Sequence, residues 1–151
     1  MKFEGDTVMA RRRSNPMKNQ VMAYKPTLGA EVPLEEDEAV ALANWMKLKK
    51  IPHTHVPLEG KMRVQYMKKL AAMGCSKGFP DYIVFTPGKV LLVELKRRVK
   101  ITKTGKESIS HTKISPEQQD WIDTANCYDY CEAKVCYGWN EAQQFISKYM
   151  P

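Results

Sequence analysis

The stretch KGFPDYIVFTPGKVLLVELK, residues 77–96, decides the fold. Residues 82–86 (YIVFT) and 90–95 (VLLVEL) are short β-branched, aromatic and aliphatic runs parted by Pro87-Gly88, the composition of two strands and a turn. A turn centred between Pro87 and Gly88 sets Asp81 directly opposite Glu94. Strand alternation then brings Lys96 to the face of Glu94 and sends Leu91, Val93 and Leu95 to the other face. A three-residue loop would shift the register by one and part the carboxylates. An L-proline before glycine fits turn types I or II, and a four-residue loop with the same centre is expected.

Two close carboxylates repel unless a cation lies between them, and hard oxygen donors suit Mg²⁺ or Mn²⁺ rather than zinc. Lys96 would complete the chemistry, since an ammonium beside a phosphate-binding metal can orient the attacking water and offset charge building on phosphorus. The plain alternative is a surface hairpin in which Asp81 ends a loop and Glu94 and Lys96 face water.

Three further pieces bear on that choice. Gly78-Phe79-Pro80-Asp81, Glu94-Leu95-Lys96 and Ser115-Pro116-Glu117-Gln118 with Trp121 occur in this order. With HVPLEGK (residues 55–61), AAMGCSKGFPD (residues 71–81) and the closing KVCYGWNEAQQFISKYM, they resemble the VRR-NUC family of the PD-(D/E)XK nuclease superfamily over residues 34 to 150. The resemblance implies a metal-dependent endonuclease with a restriction endonuclease-like α/β fold, a mixed central sheet flanked by helices. It implies Asp81, Glu94 and the Leu95 carbonyl as ligands of Mg²⁺ or Mn²⁺, Lys96 as the catalytic lysine and Gln118 as a supporting residue. No small-molecule cofactor is implied. Short stand-alone members resemble phage-type enzymes that cut four-way junctions as homodimers, so branched DNA and a second copy are the expected partners. A flap or general DNA nuclease, or a non-catalytic nucleic-acid binder of the same fold, is the alternative.

The family also draws a glutamate from its first helix, and periodicity chooses among Glu35, Glu36 and Glu38. Ala39, Leu42, Ala43 and Met46 form the apolar stripe of a helix over residues 34–49, and Glu35 extends it at i, i+4, i+7 and i+11. Glu35 is therefore the expected ligand, with Glu38, slightly off the stripe, second. First-turn acids also complement a helix dipole without further function. Gln118 is similarly double-valued. Ser115-Pro116-Glu117-Gln118 is a complete helix start, serine at the N-cap and glutamine closing a capping box, yet Gln118 shares a stripe with Trp121, Ile122 and Ala125 that points toward the sheet.

The 151 residues carry a net charge of +7 and are 43% hydrophobic, enough for one core. Lys96, Arg97, Arg98, Lys100, Lys103, Lys106 and Lys113 follow the second strand with only Glu107 against them. This reads as a mobile basic loop that meets phosphates electrostatically, with Lys61 and Arg63 as further DNA contacts. A second basic cluster, Arg11-Arg12-Arg13 with Lys18 and Lys25, lies in residues 1–33, which read as an arm or partly ordered extension before a nuclease domain over residues 34–151. No apolar run is long enough for a membrane span, and the first residues lack the apolar centre of a secretory signal, so a cytoplasmic location is expected, that of the bacterial host if the protein is phage-encoded.

Cys75, Cys127, Cys131 and Cys136 form no C-x-x-C pair and read as reduced, space-filling thiols. His53 and His55 read as packing or substrate-contact residues in a strand over residues 53–57. Beyond the hairpin, helices are expected over residues 64–73, 116–125 and 141–149, the last capped by Asn140, with a strand over residues 133–137.

Overall fold

Pro87 and Gly88 turn the chain between two strands, Gly88 at φ +93°, the conformation that a type II turn reserves for glycine at its third position. In this computed structural model, which describes residues 31–58, 63–108 and 112–151, Thr86 pairs with Lys89 and Tyr82 with Val93. The loop is thus two residues long rather than four, because the Pro-Gly pair alone closes the turn. Its centre is where the sequence puts it, and Asp81 falls opposite Glu94 one step beyond the last pair.

These strands, β2 (Tyr82–Thr86) and β3 (Lys89–Lys96), lie at the middle of a four-stranded sheet of order β1-β2-β3-β6. Strand β1 (His53–His55) runs antiparallel to β2, and β6 (Cys131–Tyr137) runs parallel to β3. Alternation sorts the faces. Leu91, Val93 and Leu95 join Tyr82, Val84 and Cys136 in one core, covered by α1 (Glu35–Leu48) through Leu42 and Met46 and by α4 (Trp139–Ser147) through Ala142, Phe145 and Ile146. Leu92 and Ala133 form a smaller core on the other face with Ile122 and Ala125 of α3 (Pro116–Ala125). Burying strand β3 on both faces explains its continuous apolar run. Helix α2 (Val64–Ala72) has no buried residue. The architecture is the expected mixed α/β sheet with helices on both faces. Among the described residues, no helix is long and apolar enough to cross a membrane.

Two further expectations change. The segment after Lys96 is not an unstructured loop. It folds into an antiparallel hairpin of β4 (Lys100–Ile101) and β5 (Glu107–Ser108). Helix α4 is capped by Gly138 rather than Asn140, since Gly138 adopts φ +85° and Glu141, three residues on, accepts the Tyr137 N–H at 3.0 Å. Residues 1–30 with Arg11, Arg12, Arg13, Lys18 and Lys25, and Lys61, lie outside the described residues.

Part of the outer edge of β6 is capped by the chain itself. Asn126 Oδ1 accepts the Ala133 N–H at 2.8 Å and Asn126 Nδ2 donates to the Ala133 carbonyl at 3.0 Å, as a neighbouring strand would. The Cys131 N–H goes to Tyr128 O and that of Tyr137 to Glu141.

Tyr82 buries its ring in the main core and donates its hydroxyl to the Ala39 carbonyl at 3.1 Å. Burial, then the nearby Asp81 charge, pushes its phenol up to about 12 from an ordinary value of 10.0. The fold thus favours the neutral phenol, and this contribution is complete below pH 10 and lost as pH rises through about 12. Burial raises Tyr137 and Cys136 in the same direction. Urea unfolding across the alkaline range is expected to show a shallower loss of stability for Tyr82→Phe than for the parent.

Candidate active site

The C-terminal half of β3 leaves the apolar pattern at Glu94 and Lys96, yet neither reaches solvent: Glu94 is 1% and Lys96 7% exposed. Their side chains lie on the α3 face, and Lys96 Nζ approaches Glu94 Oε1 at 2.7 Å. Gln118, 4% exposed, donates from Nε2 to the same carboxylate oxygen. Asp81 closes the group from just before β2, its Oδ2 accepting the Leu95 N–H at 2.8 Å, while its own carbonyl accepts the Val56 N–H at 2.7 Å. The structure therefore brings Asp81, Glu94, Leu95, Lys96 and Gln118 together.

Gln118 performs both of the tasks its sequence offers. Its Oε1 accepts the Ser115 N–H at 2.9 Å and its backbone N–H reaches Ser115 Oγ at 3.2 Å, completing the capping box. The amide nitrogen left over is the one that holds Glu94. Capping thus fixes the side chain that steadies the carboxylate.

The loop carrying Asp81 is pressed onto α3. Trp121 Nε1 donates to the Lys77 carbonyl at 3.1 Å, and Phe79 meets the Trp121 ring edge to face at 5.0 Å. Gly78 between them holds φ +75°, and a Cβ there would stand 2.6 Å from Glu117 C and 2.7 Å from Gln118 N. Backbone cannot yield as a side-chain tip can. Gly78→Ala is therefore expected to cost about 2–4 kcal/mol, from the left-handed conformation and the collision together, read by urea unfolding.

The first helix presents a different glutamate from the one expected. Glu38, Leu42 and Met46, spaced i, i+4, i+8, are the buried residues of α1, whereas Glu35 is half-buried in its first turn. The stripe is centred on the two large side chains, and the small Ala39 and Ala43, which pull it toward Glu35 in the sequence, are only partly covered. Glu38, 1% exposed, is held on every side: Oε1 lies 2.9 Å from Arg98 Nε, and Oε2 accepts Arg98 Nη2 at 3.2 Å and the Trp139 N–H at 2.8 Å. It thereby ties α1, the end of β3 and the N-terminus of α4, where a carboxylate also complements the helix dipole. Gly138 fits the same cluster, since a Cβ there would run into the Arg98 side chain. Only the i, i+4, i+8 line could have revealed this cluster in the sequence.

The basic residues divide. Arg97 donates to the carbonyls of Pro33 at 3.0 Å and Val32 at 2.6 Å, and Arg98 holds Glu38, so both guanidinium groups anchor the fold. Arg63, Lys100, Lys103, Lys106 and Lys113 are exposed. His53 Nδ1 lies 2.7 Å from Ile51 O and His55 packs its ring on Tyr82. All four cysteines are free thiols.

The donor set is oxygen: two carboxylates from facing strands and the Leu95 carbonyl between Glu94 and Lys96. Among the described residues no group of three or more His, Cys, Asp or Glu side chains could hold a metal ion. A cation that keeps several of its own waters and takes one or two carboxylates, as Mg²⁺ does, fits this set, whereas zinc, with three or four protein ligands, does not.

Sheet order and site define an α/β protein of restriction endonuclease-like fold. A solved structure described as a VRR_NUC domain protein matches with a TM-score of 0.59 at 20% identity, covering 80% of this chain and 90% of that one, a likeness of fold. No family model and no curated protein matches the sequence.

Proposed function

We propose that the protein is a VRR-NUC nuclease that hydrolyses phosphodiester bonds in DNA with Mg²⁺ or Mn²⁺. The observation that carries this reading is a buried carboxylate, ammonium and amide, Glu94, Lys96 and Gln118, converging at the end of a central strand beside Asp81. The Glu38–Arg98 pair ties separate elements together, whereas Glu94, Lys96 and Gln118 gather at the end of one strand beside a second carboxylate, an arrangement suited to chemistry.

Asp81, Glu94 and the Leu95 carbonyl would hold the metal, with a first-helix glutamate as a further candidate. Glu38 already serves Arg98 and Trp139, which leaves Glu35 for that role. When bound, the metal supplies charge for the phosphoryl oxygens and lowers the pKa of a water. Lys96 holds positive charge where the transition state gains negative charge, and Gln118 keeps Glu94 oriented from the α3 side.

The preferred substrate of this reading is a four-way junction cut by a homodimer, since two symmetric nicks need two sites related by a two-fold axis. Incubating labelled junction, flap, duplex and single-stranded DNA with Mg²⁺, Mn²⁺ or EDTA tests the proposal. Cutting that needs metal and prefers junctions supports it in full, equal rates on junction and plain duplex remove the junction preference, and binding without cutting removes the enzyme. Light scattering at micromolar concentration decides the dimer.

A further inference from the structure

The chain leaves the site at Lys96 and four residues later enters the β4–β5 hairpin. Its root is fixed to the body. Arg97 grips the Val32 and Pro33 carbonyls, Arg98 grips Glu38, and on the return side Thr112 is buried, its carbonyl taken by the Tyr137 hydroxyl. The hairpin is ordered from within. Lys100 pairs with Ser108 and Ile101 with Glu107, and the Thr102 N–H donates to Lys106 O at 2.9 Å as a third rung. Lys103, Thr104 and Gly105 form a three-residue loop, with Gly105 at φ +76° in its last position, the left-handed residue that such loops require.

Alternation sorts the charges of this ribbon. Lys100, Thr102, Lys106 and Ser108 share one face, and Ile101 and the single acid, Glu107, share the other. Lys103 stands at the tip, and all three lysines are exposed.

We infer that this ribbon enters the major groove of a B-form DNA duplex beside the cut and sets its lysine face against the flanking phosphates, an assignment that rests on the nuclease reading above. Two strands about 4.8 Å apart, with their side chains, fit a groove about 12 Å wide and not a minor groove of about 6 Å. The deep, narrow major groove of double-stranded RNA excludes them, so the substrate is double-helical DNA. The seven residues from Lys96 to Lys103 reach at most about 25 Å, which keeps the contacts within about three-quarters of a helical turn of the site.

The test is dimethyl sulfate protection of guanine N7, an atom of the major groove, on a DNA duplex in EDTA. It compares the parent with K100Q/K103Q/K106Q, alongside the salt dependence of binding. Protection close to the cut is expected for the parent and lost in the triple variant, whose slope of log affinity against log salt falls by about 3, near 0.9 per phosphate contact. Affinity for double-stranded RNA of equal length falls less than affinity for the DNA duplex. N7 atoms left open by the parent, or protection that survives the three substitutions, would overturn the assignment. Metal-dependent cutting that is lost in Asp81→Asn but comes without N7 protection refutes the ribbon and leaves the nuclease. Ribbon-dependent protection with no cutting in any metal supports the ribbon and refutes the nuclease.

Discussion

Asp81→Asn is expected to lower metal-dependent cleavage by at least about 10³-fold, or about 4 kcal/mol of transition-state stabilisation, while leaving the fold in place. The choice of asparagine follows from the local geometry. Asp81 Oδ2 accepts the Leu95 N–H at 2.8 Å, a bond that organises the end of β3, and the amide oxygen of asparagine can still accept it. Alanine would confound chemistry with folding, because an unsatisfied N–H in this partly buried place costs about 1–3 kcal/mol by itself. The substitution thus removes the charge and keeps the acceptor. Stability within about 1 kcal/mol of the parent, read by urea unfolding, would show the two effects separated.

The largest effect on stability is expected at Glu38. Glu38→Ala strands the Arg98 guanidinium, whose side chain is only 13% exposed, and leaves the Trp139 N–H without its acceptor at the start of α4. Removing one partner of a buried ion pair costs about 3–5 kcal/mol. Arg98→Ala is expected to cost a similar amount, and the double variant less than the two together, since neither charge is then left alone. Equilibrium unfolding of the three variants measures this coupling, and Mn²⁺ titration calorimetry asks whether the carboxylate also binds metal. A small stability change with a large loss of Mn²⁺ affinity would make Glu38 a ligand and not a strut. Unchanged affinity leaves the ligand role to Glu35 or to no first-helix residue.

Much of this site was legible in the sequence because it depends on local rules. The turn centre at Pro87-Gly88 and the period-two alternation suffice to bring Asp81, Glu94 and Lys96 together, and a loop of two or four residues with that centre gives the same register. The start of α3 was legible too, since Ser115, Pro116 and Gln118 are chemically matched to a helix N-terminus.

What escaped depends on partners far apart in the chain. Helical periodicity gave the direction of the α1 stripe only to within about one residue, and Ala39 and Ala43 weigh equally with Leu42 and Met46 in a pattern although they bury less. Seeing that Glu38 is the buried glutamate of α1 needs Arg98 and Trp139, which lie 60 and 101 residues away. Arg97 and Arg98 likewise read as part of a basic run until the Val32 and Pro33 carbonyls and Glu38 are seen around them. The double use of Gln118 was present as two competing readings, and three-dimensional placement made them compatible.

The central claim, that Glu94, Lys96 and Gln118 with Asp81 form a metal-dependent phosphodiesterase site, is tested most directly by single-turnover cleavage of a labelled four-way junction with Mn²⁺, comparing the parent with Lys96→Met. Cutting by the parent that EDTA abolishes is expected, with a rate about 10²–10³-fold lower for Lys96→Met, the scale of losing one preorganised charge at a transition state. A parent that binds the junction without cutting it, or a Lys96→Met variant that cuts at the full rate, would contradict it.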